Sequence, residues 1–322
     1  MKSAKKLLGL VLMACFVCFM AVSCQTSTTS NVAPTAEPTN AVQTTSATQL
    51  TKTPDQASPL EIKVFQASEK GALVASTLIA GEKEAILVDS QLLNSEANKL
   101  VDFLTQSGKT LKAIWITHGH PDHYLGLEKV LAKFPNTPVY STAEVAEDVR
   151  KKGPTFIENL KKRYADDISS KLTVPEVLSQ NYLELEGQRI EVIKMPQGDT
   201  KNTTILHIPS MDTVIAGDVL YSGVHPFLAE TNANARRTWI ESIDKIKALN
   251  PKEVIPGHKD PTLDNSPEAL DKMKNYLETF NKTVESERSA DAAYAAMEKA
   301  FPNHKLAGFF LKISTDAAYK TS

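Results

Sequence analysis

The chain has 322 residues, 42% hydrophobic and 23% charged, with a formal charge of −2 from 36 basic and 38 acidic side chains. These values describe a globular protein of one large or two small domains and exclude collagen-like, wholly disordered and multi-span membrane classes. With no excess or clustering of basic residues, nucleic acid is not an expected partner.

Cys15, Cys18 and Cys24 are the three cysteines of the chain. The remainder therefore forms no disulfide and offers no thiolate to a metal. A basic start, Met1–Lys6, precedes an apolar run of 16 residues, Leu7–Val22, and the small residues Ala21, Val22 and Ser23 stand directly before Cys24. The run is shorter than the ~20 residues of a spanning helix and predicts a secretory signal over 1–23. Residues 21–24 resemble a bacterial lipobox, which makes Cys24 the expected lipid attachment point and the protein an extracytoplasmic, membrane-anchored lipoprotein. Residues 24–59 are dominated by Thr, Ser, Ala and Pro, with Glu37, Lys52 and Asp55 as their charges. Such a segment buries too little to order itself and is expected to be a tether, with a root-mean-square reach of roughly 30–35 Å.

Order is expected from Leu60. Ile62–Phe65, Ala72–Ala80 and Glu84–Val88 are β-rich runs separated by Gly71 and Gly81, which predicts adjacent antiparallel strands. Asn94 is a candidate cap for a helix bearing Leu100, Val101 and Leu104 at helical spacing and ended by Gly108. A strand over 113–117 and a helix over about 123–134, stopped by Pro135, come next. Residues 142–178 are highly charged and predicted helical, either a lid or a solvated insert, with no chemical motif. Strands are expected near 189–194, 203–208 and 213–216, then a helix over about 236–249 and a strand at 253–255. Strand-rich halves that each close with helices predict an α+β, four-layer αββα sandwich over 60–265. Beyond it, Ser266-Pro267-Glu268 starts a helix whose Leu270, Met273, Leu277, Phe280 and Val284 recur at three and four. With a second helix over 289–301 it forms a C-terminal helical extension, 266–322.

The chemistry is concentrated in Thr117-His118-Gly119-His120-Pro121-Asp122-His123. Four potential ligands occupy six positions at a strand exit, where residues i and i+2 point the same way, so His118 and His120 can share one ion. Past Pro121, Asp122 and His123 can face a second ion.

This segment resembles the H-x-H-x-D-H signature of the metallo-β-lactamase superfamily, and the resemblance runs from about Leu60 to Pro261. It implies an αββα sandwich with a dinuclear centre at one end of its β-layers. His118 and His120 then hold the first metal, and Asp122, His123 and His258, in Ile255-Pro256-Gly257-His258, the second. Asp218, in Ile215-Ala216-Gly217-Asp218, matches the bridging aspartate. Gln197-Gly198-Asp199-Thr200 aligns with the turn that carries the third histidine of the first metal, but Asp199 stands in its place. An aspartate still ligates zinc at ~2.0–2.2 Å. Its charge and hardness make manganese or iron alternatives to zinc. Asp89, at the end of Ile86-Leu87-Val88, resembles the family's aspartate that orients a ligand or its loop. Tyr221 and His225 follow Asp218 in a region where family members build the substrate pocket.

The implied activity is metal-dependent hydrolysis of a small molecule by a metal-bound hydroxide, on two divalent ions, with Asp122 orienting or deprotonating the nucleophile. Aspartate rather than cysteine at the bridging position points to esters or lactones first, with a phosphodiester or a β-lactam as alternatives. Asp199 also leaves open a mononuclear or non-catalytic cell-surface binding protein.

Overall fold

In the computed structural model, residues 59–320 are described; Cys24, the signal segment and the tether up to residue 58 lie outside them. The first half of the fold comprises β1 (Glu61–Gln66), β2 (Ala75–Ala80), β3 (Glu84–Val88), α1 (Asn94–Gln106), β4 (Thr110–Trp115), α2 (Pro121–Tyr124), α3 (Leu127–Lys133), β5 (Val139–Ser141), α4 (Ala143–Tyr164) and β6 (Glu176–Val177). Its six strands form one sheet in chain order, antiparallel from β1 to β3 and parallel from β3 to β6. The second half comprises β7 (Tyr182–Leu185), β8 (Gln188–Met195), β9 (Thr203–Ile208), β10 (Thr213–Ser222), α5 (Ala233–Ala248) and β11 (Glu253–Lys259). These strands form a sheet ordered β11-β10-β9-β8-β7, in which only β10 and β11 run parallel. Three further helices follow: α6 (Glu268–Ser286), α7 (Ala290–Ala300) and α8 (Lys312–Ala318), the last entered through a π-turn at Ala307–Leu311.

Strand periodicity sorts the apolar side chains into three cores, because alternate residues point to opposite faces. On β3, Ile86 and Val88 meet Ile79, Trp115, Leu206 and Ile215 between the two sheets. Ala85 and Leu87 point the other way, onto Leu100, Leu104, Val130 and Val145 of the flanking helices. On β10, Val214 and Ala216 face Trp239 and Ile243 of α5 and Met273, Leu277 and Phe280 of α6. Three interfaces separate four layers, so the fold is the αββα sandwich, with the C-terminal helices packed on its second sheet. Among the described residues no helix is long and apolar enough to cross a membrane.

Local departures from the sequence expectations have identifiable causes. Leu93, in extended conformation, occupies the N-cap position of α1. The Asn94 amide donates instead to Asp166 O at 3.0 Å, and Asp167 caps the helix by accepting from Ser95 N at 2.7 Å. The helix expected over 123–134 is divided into α2 and α3 where Gly126 N donates to Gln91 O at 2.6 Å. The short strands β5, β6 and β7 and the turn into α8 are additional to the elements expected from the sequence. The stripe on α6 packs as its spacing predicts, with Leu270, Met273, Leu277 and Phe280 buried.

Phe280→Ala removes a fully buried ring from the core shared by β10, α5 and α6. It is expected to cost about 3–5 kcal/mol, measured by urea unfolding as a lower midpoint of one transition. A loss below ~1 kcal/mol would show that α6 does not share that core.

Candidate metal centre

Elements from both sheets converge on one end of the sandwich. Thr204 donates to Thr117 O through its amide, at 3.1 Å, and through its hydroxyl, at 2.8 Å, and Trp115 Nε1 reaches Thr204 Oγ1 at 3.2 Å. These bonds tie the exit of β4 to β9 and set the segment 118–123 over the seam between the sheets. Asp218 arrives there by an irregularity in β10, whose register with β11 shifts on either side of Gly217. Gly217 has φ +48°, a left-handed conformation suited to glycine, and a Cβ there would lie 3.0 Å from Thr117 Oγ1. On β11, a Cβ at Gly257 would fall 1.9 Å from Asp218 Oδ1, so only glycine lets that strand approach this carboxylate.

The donors fall into two sets, His118, His120, Asp199 and Asp218 in one and Asp122, His123 and His258 in the other, each with its ligand atoms within 4.8 Å of one another. Asp218 touches both: its Oδ2 lies 3.7 Å from His118 Nε2 and 3.2 Å from His258 Nε2, and its Oδ1 lies 3.3 Å from His123 Nε2. Asp122 Oδ2 stands 3.3 Å from His258 Nε2. Asp199 occupies the place expected of a third histidine, with Oδ2 at 2.7 Å from His120 Nδ1.

Partners behind the rings decide which nitrogen each presents. His123 Nδ1 bonds Asp89 Oδ2 at 2.8 Å, and His258 Nδ1 donates to Ala72 O at 2.6 Å. Thr117 Oγ1 donates to Asp89 Oδ2 at 2.7 Å and therefore accepts from His118 Nδ1 at 3.0 Å. Each of these rings turns Nε2 inward, and the three Nε2 atoms, with Asp199 Oδ1 and Asp218 Oδ1, are buried without a hydrogen-bond partner. Orphaned nitrogens beside three carboxylates are the donor set that divalent cations satisfy. His120 faces the opposite way, with Nε2 3.4 Å from Glu230 Oε1, whose other oxygen lies 3.4 Å from Lys152 Nζ.

Protons and cations compete for these atoms. Burial works against a charged His258, but Asp218 and Asp122 outweigh it and push the ring up to about 10. Burial and the neighbouring His123 hold His118 well below the usual imidazole value. Burial pushes Asp199 up to about 7, with His120 opposing. For Asp218 the burial effect is overcome by His258 and His123, which hold it well below the ordinary carboxylate range. A cation entering the site displaces protons, so metal affinity falls with acidification.

Tyr221 joins the centre, whereas His225 does not. The Tyr221 hydroxyl bonds Asp218 Oδ2 at 2.5 Å, stands 3.1 Å from Asp199 Oδ2, and belongs to a ring stacked 4.9 Å from His258. His225 is buried behind it, with Nδ1 2.7 Å from the Tyr276 hydroxyl, and does not line the cavity. Glu230 has no spacing relation to the motif and was not singled out from the sequence. The centre opens into a cavity of about 290 Å³. Phe156 and Leu160 of α4, Phe227, and Phe309, Phe310 and Ile313 around the entry to α8 supply its apolar lining. The charged segment 142–178 thus contributes a wall of the site.

The superfamily model for metallo-beta-lactamases matches residues 71–258, and the chain belongs to that superfamily. It is 26% identical over 213 residues to hydroxyacylglutathione hydrolase 1 of Vibrio vulnificus (strain YJ016), covering 64% of this chain and 68% of that protein. Over 190 residues it is 28% identical to a hydroxyacylglutathione hydrolase of Hamiltonella defensa (strain 5AT), covering 58% and 62%. The chain spans roughly two thirds of the length of these relatives. A metallo-beta-lactamase family protein from Thermus thermophilus shares the fold, with a TM-score of 0.56 at 20% identity over 80% of this chain and 91% of that one. The B3 metallo-beta-lactamase BLEG-1 aligns with a TM-score of 0.50 at 20% identity, over 65% and 96%. The chain is a metallo-β-lactamase-fold hydrolase with its metal-binding donors intact, so the non-catalytic alternative raised by Asp199 is set aside.

Elemental analysis of protein prepared with zinc is expected to give about two ions per chain, one for each donor set. Asp89→Ala should weaken metal affinity about 10- to 100-fold by freeing His123 and Thr117. Unchanged affinity would show that the rings hold their orientation without Asp89.

Proposed function

We propose that the protein hydrolyses a carboxylic acyl bond, in an ester, lactone or thioester, whose apolar portion occupies the cavity beside the donors. The supporting observation is the lining: Phe156, Leu160, Phe227, Phe309, Phe310 and Ile313 offer contact to the hydrocarbon body of an acyl compound. The relatives named for hydrolysis of hydroxyacylglutathione, an S-acyl compound, support acyl chemistry as well.

Two divalent ions, zinc in first place, supply an acidified water and an electrophile for the acyl oxygen when bound. The protein's own groups arrange the rest. Asp122 is the most exposed donor side chain, at 14%, and lines the cavity. Burial opposes its charge, but His123 and His258 hold its carboxyl below the ordinary range, so it is ionised and placed to orient a water by accepting its hydrogen. Tyr221 lines the same cavity as a phenol, its pKa raised by burial and by Asp199 and Asp218. A substrate oxygen that displaces it from Asp218 gains a donor. Phe227 and Phe310 narrow the access of bulk water to these groups. The same proposal places the enzyme outside the cytoplasm, tethered by lipid at Cys24; its support is the sequence of residues 1–24.

Metal-loaded protein is expected to cleave medium-chain phenyl esters or thioesters, and Asp122→Asn to lower kcat about 100-fold or more. Faster cleavage of bis(p-nitrophenyl) phosphate than of any acyl substrate would overturn this assignment. Cys24→Ala should move the protein from the membrane fraction to the soluble fraction of its host; unchanged membrane retention would refute the lipid anchor.

A further inference from the structure

One cation borders the cavity without an assigned task. Arg163, in the last turn of α4, lies with its guanidinium 4.5 Å from the Phe309 ring centroid and 5.2 Å from that of Tyr164. Stacking of this kind fixes the guanidinium plane and leaves its N–H edge open to an oxyanion. The neighbouring cations are committed: Lys162 pairs with Glu158 at 3.1 Å, and Lys152 with Glu230 at 3.4 Å. Among the described residues no carboxylate lies within 4.0 Å of the Arg163 guanidinium, although it lines the same cavity as Asp122, Asp199, Asp218 and Glu230. Glu230, the carboxylate outside the donor sets, is occupied by His120 and Lys152.

The donors other than Asp122 are buried and Arg163 is exposed, so the cavity runs from a cation-binding inner end, past aromatic and aliphatic walls, to one uncommitted positive charge at its mouth. A wholly apolar acyl compound makes no use of that charge. We propose that Arg163 selects substrates bearing an anionic group at the end remote from the scissile bond, so that the preferred substrate is an anionic amphiphile: an acyl ester or thioester with a hydrocarbon body and a terminal carboxylate. The inference rests on the acyl-hydrolase assignment and narrows its substrate class. Arg163 is here a specificity residue, outside both donor sets.

The test uses the full-length, metal-loaded protein and three phenyl esters of one chain length, ending in a carboxylate, a carboxamide or an ammonium group. The wild type is expected to favour the carboxylate over the amide by about five- to tenfold in kcat/KM, a preference that fades with added salt. Arg163→Gln should bring this ratio close to one, and Arg163→Glu should invert the order in favour of the ammonium ester. If Arg163 merely braces α4 against Phe309, both variants lower kcat/KM for all three esters alike and leave the ratio intact, which overturns the proposal. Should none of the esters be hydrolysed, the acyl assignment itself fails. Calorimetric binding of the same three compounds then reads the charge preference directly: the order carboxylate, amide, ammonium, reversed by Arg163→Glu, supports the role of Arg163, and equal affinities refute it.

Discussion

The site depends on one buried carboxylate that lies outside both donor sets. Asp89 follows β3 and accepts from Thr117 N at 2.8 Å, from Thr117 Oγ1 at 2.7 Å and from His123 Nδ1 at 2.8 Å. Its backbone has φ +59°, a left-handed conformation that a residue with a Cβ holds only when its surroundings impose it, at a cost of order 1 kcal/mol. Those three hydrogen bonds and the bond from Asp89 N to Trp115 O, at 2.8 Å, impose it. Through Thr117 the same carboxylate orients His118, so one side chain sets a ring in each donor set.

The second constraint is steric. Bringing Asp218 between the two sets requires β10 to bend at Gly217 and β11 to pass within contact distance at Gly257. A third carboxylate in place of a histidine is accommodated by two neighbours. One Asp199 oxygen is held by His120, with Tyr221 3.1 Å away, while the other stays unpartnered and faces His118 Nε2 at 3.8 Å. Tyr221 in turn stacks on His258 and bonds Asp218, so the aspartate belongs to a connected network.

Much of this was legible in the sequence, and unevenly so for physical reasons. The donors from His118 to His123 are contiguous, and a strand exit followed by a proline fixes where they point. Asp218 and His258 each come directly after a short apolar run and a glycine, Val214-Ile215-Ala216-Gly217 and Val254-Ile255-Pro256-Gly257, which marks a buried strand in the sequence. Glu230 and Arg163 carry no such signature, because each acquires its role only when a loop or a helix end folds against residues far away in the chain. The strands β5 to β7 have two to four residues, too few for alternation to declare itself. Asn94 is a good cap by type, yet Asp167, 72 residues away in sequence from Ser95, supplies the cap, and no local pattern records it. The tail after Pro302 shows no clear helical period and still delivers Phe309 and Phe310 to the cavity.

Donors and walls have separate structural origins. The donor atoms sit on β10, β11, α2 and the loops that follow β4 and β8, while much of the hydrocarbon surface beside them comes from 156–163 on α4 and from 309–313. Substitutions in those two helical stretches can change the size, greasiness or charge of what enters without replacing any of the clustered His and Asp donors. In evolutionary terms the protein resembles a fixed cutting head with an exchangeable jig: lineages descended from it can diverge in diet while conserving their chemistry.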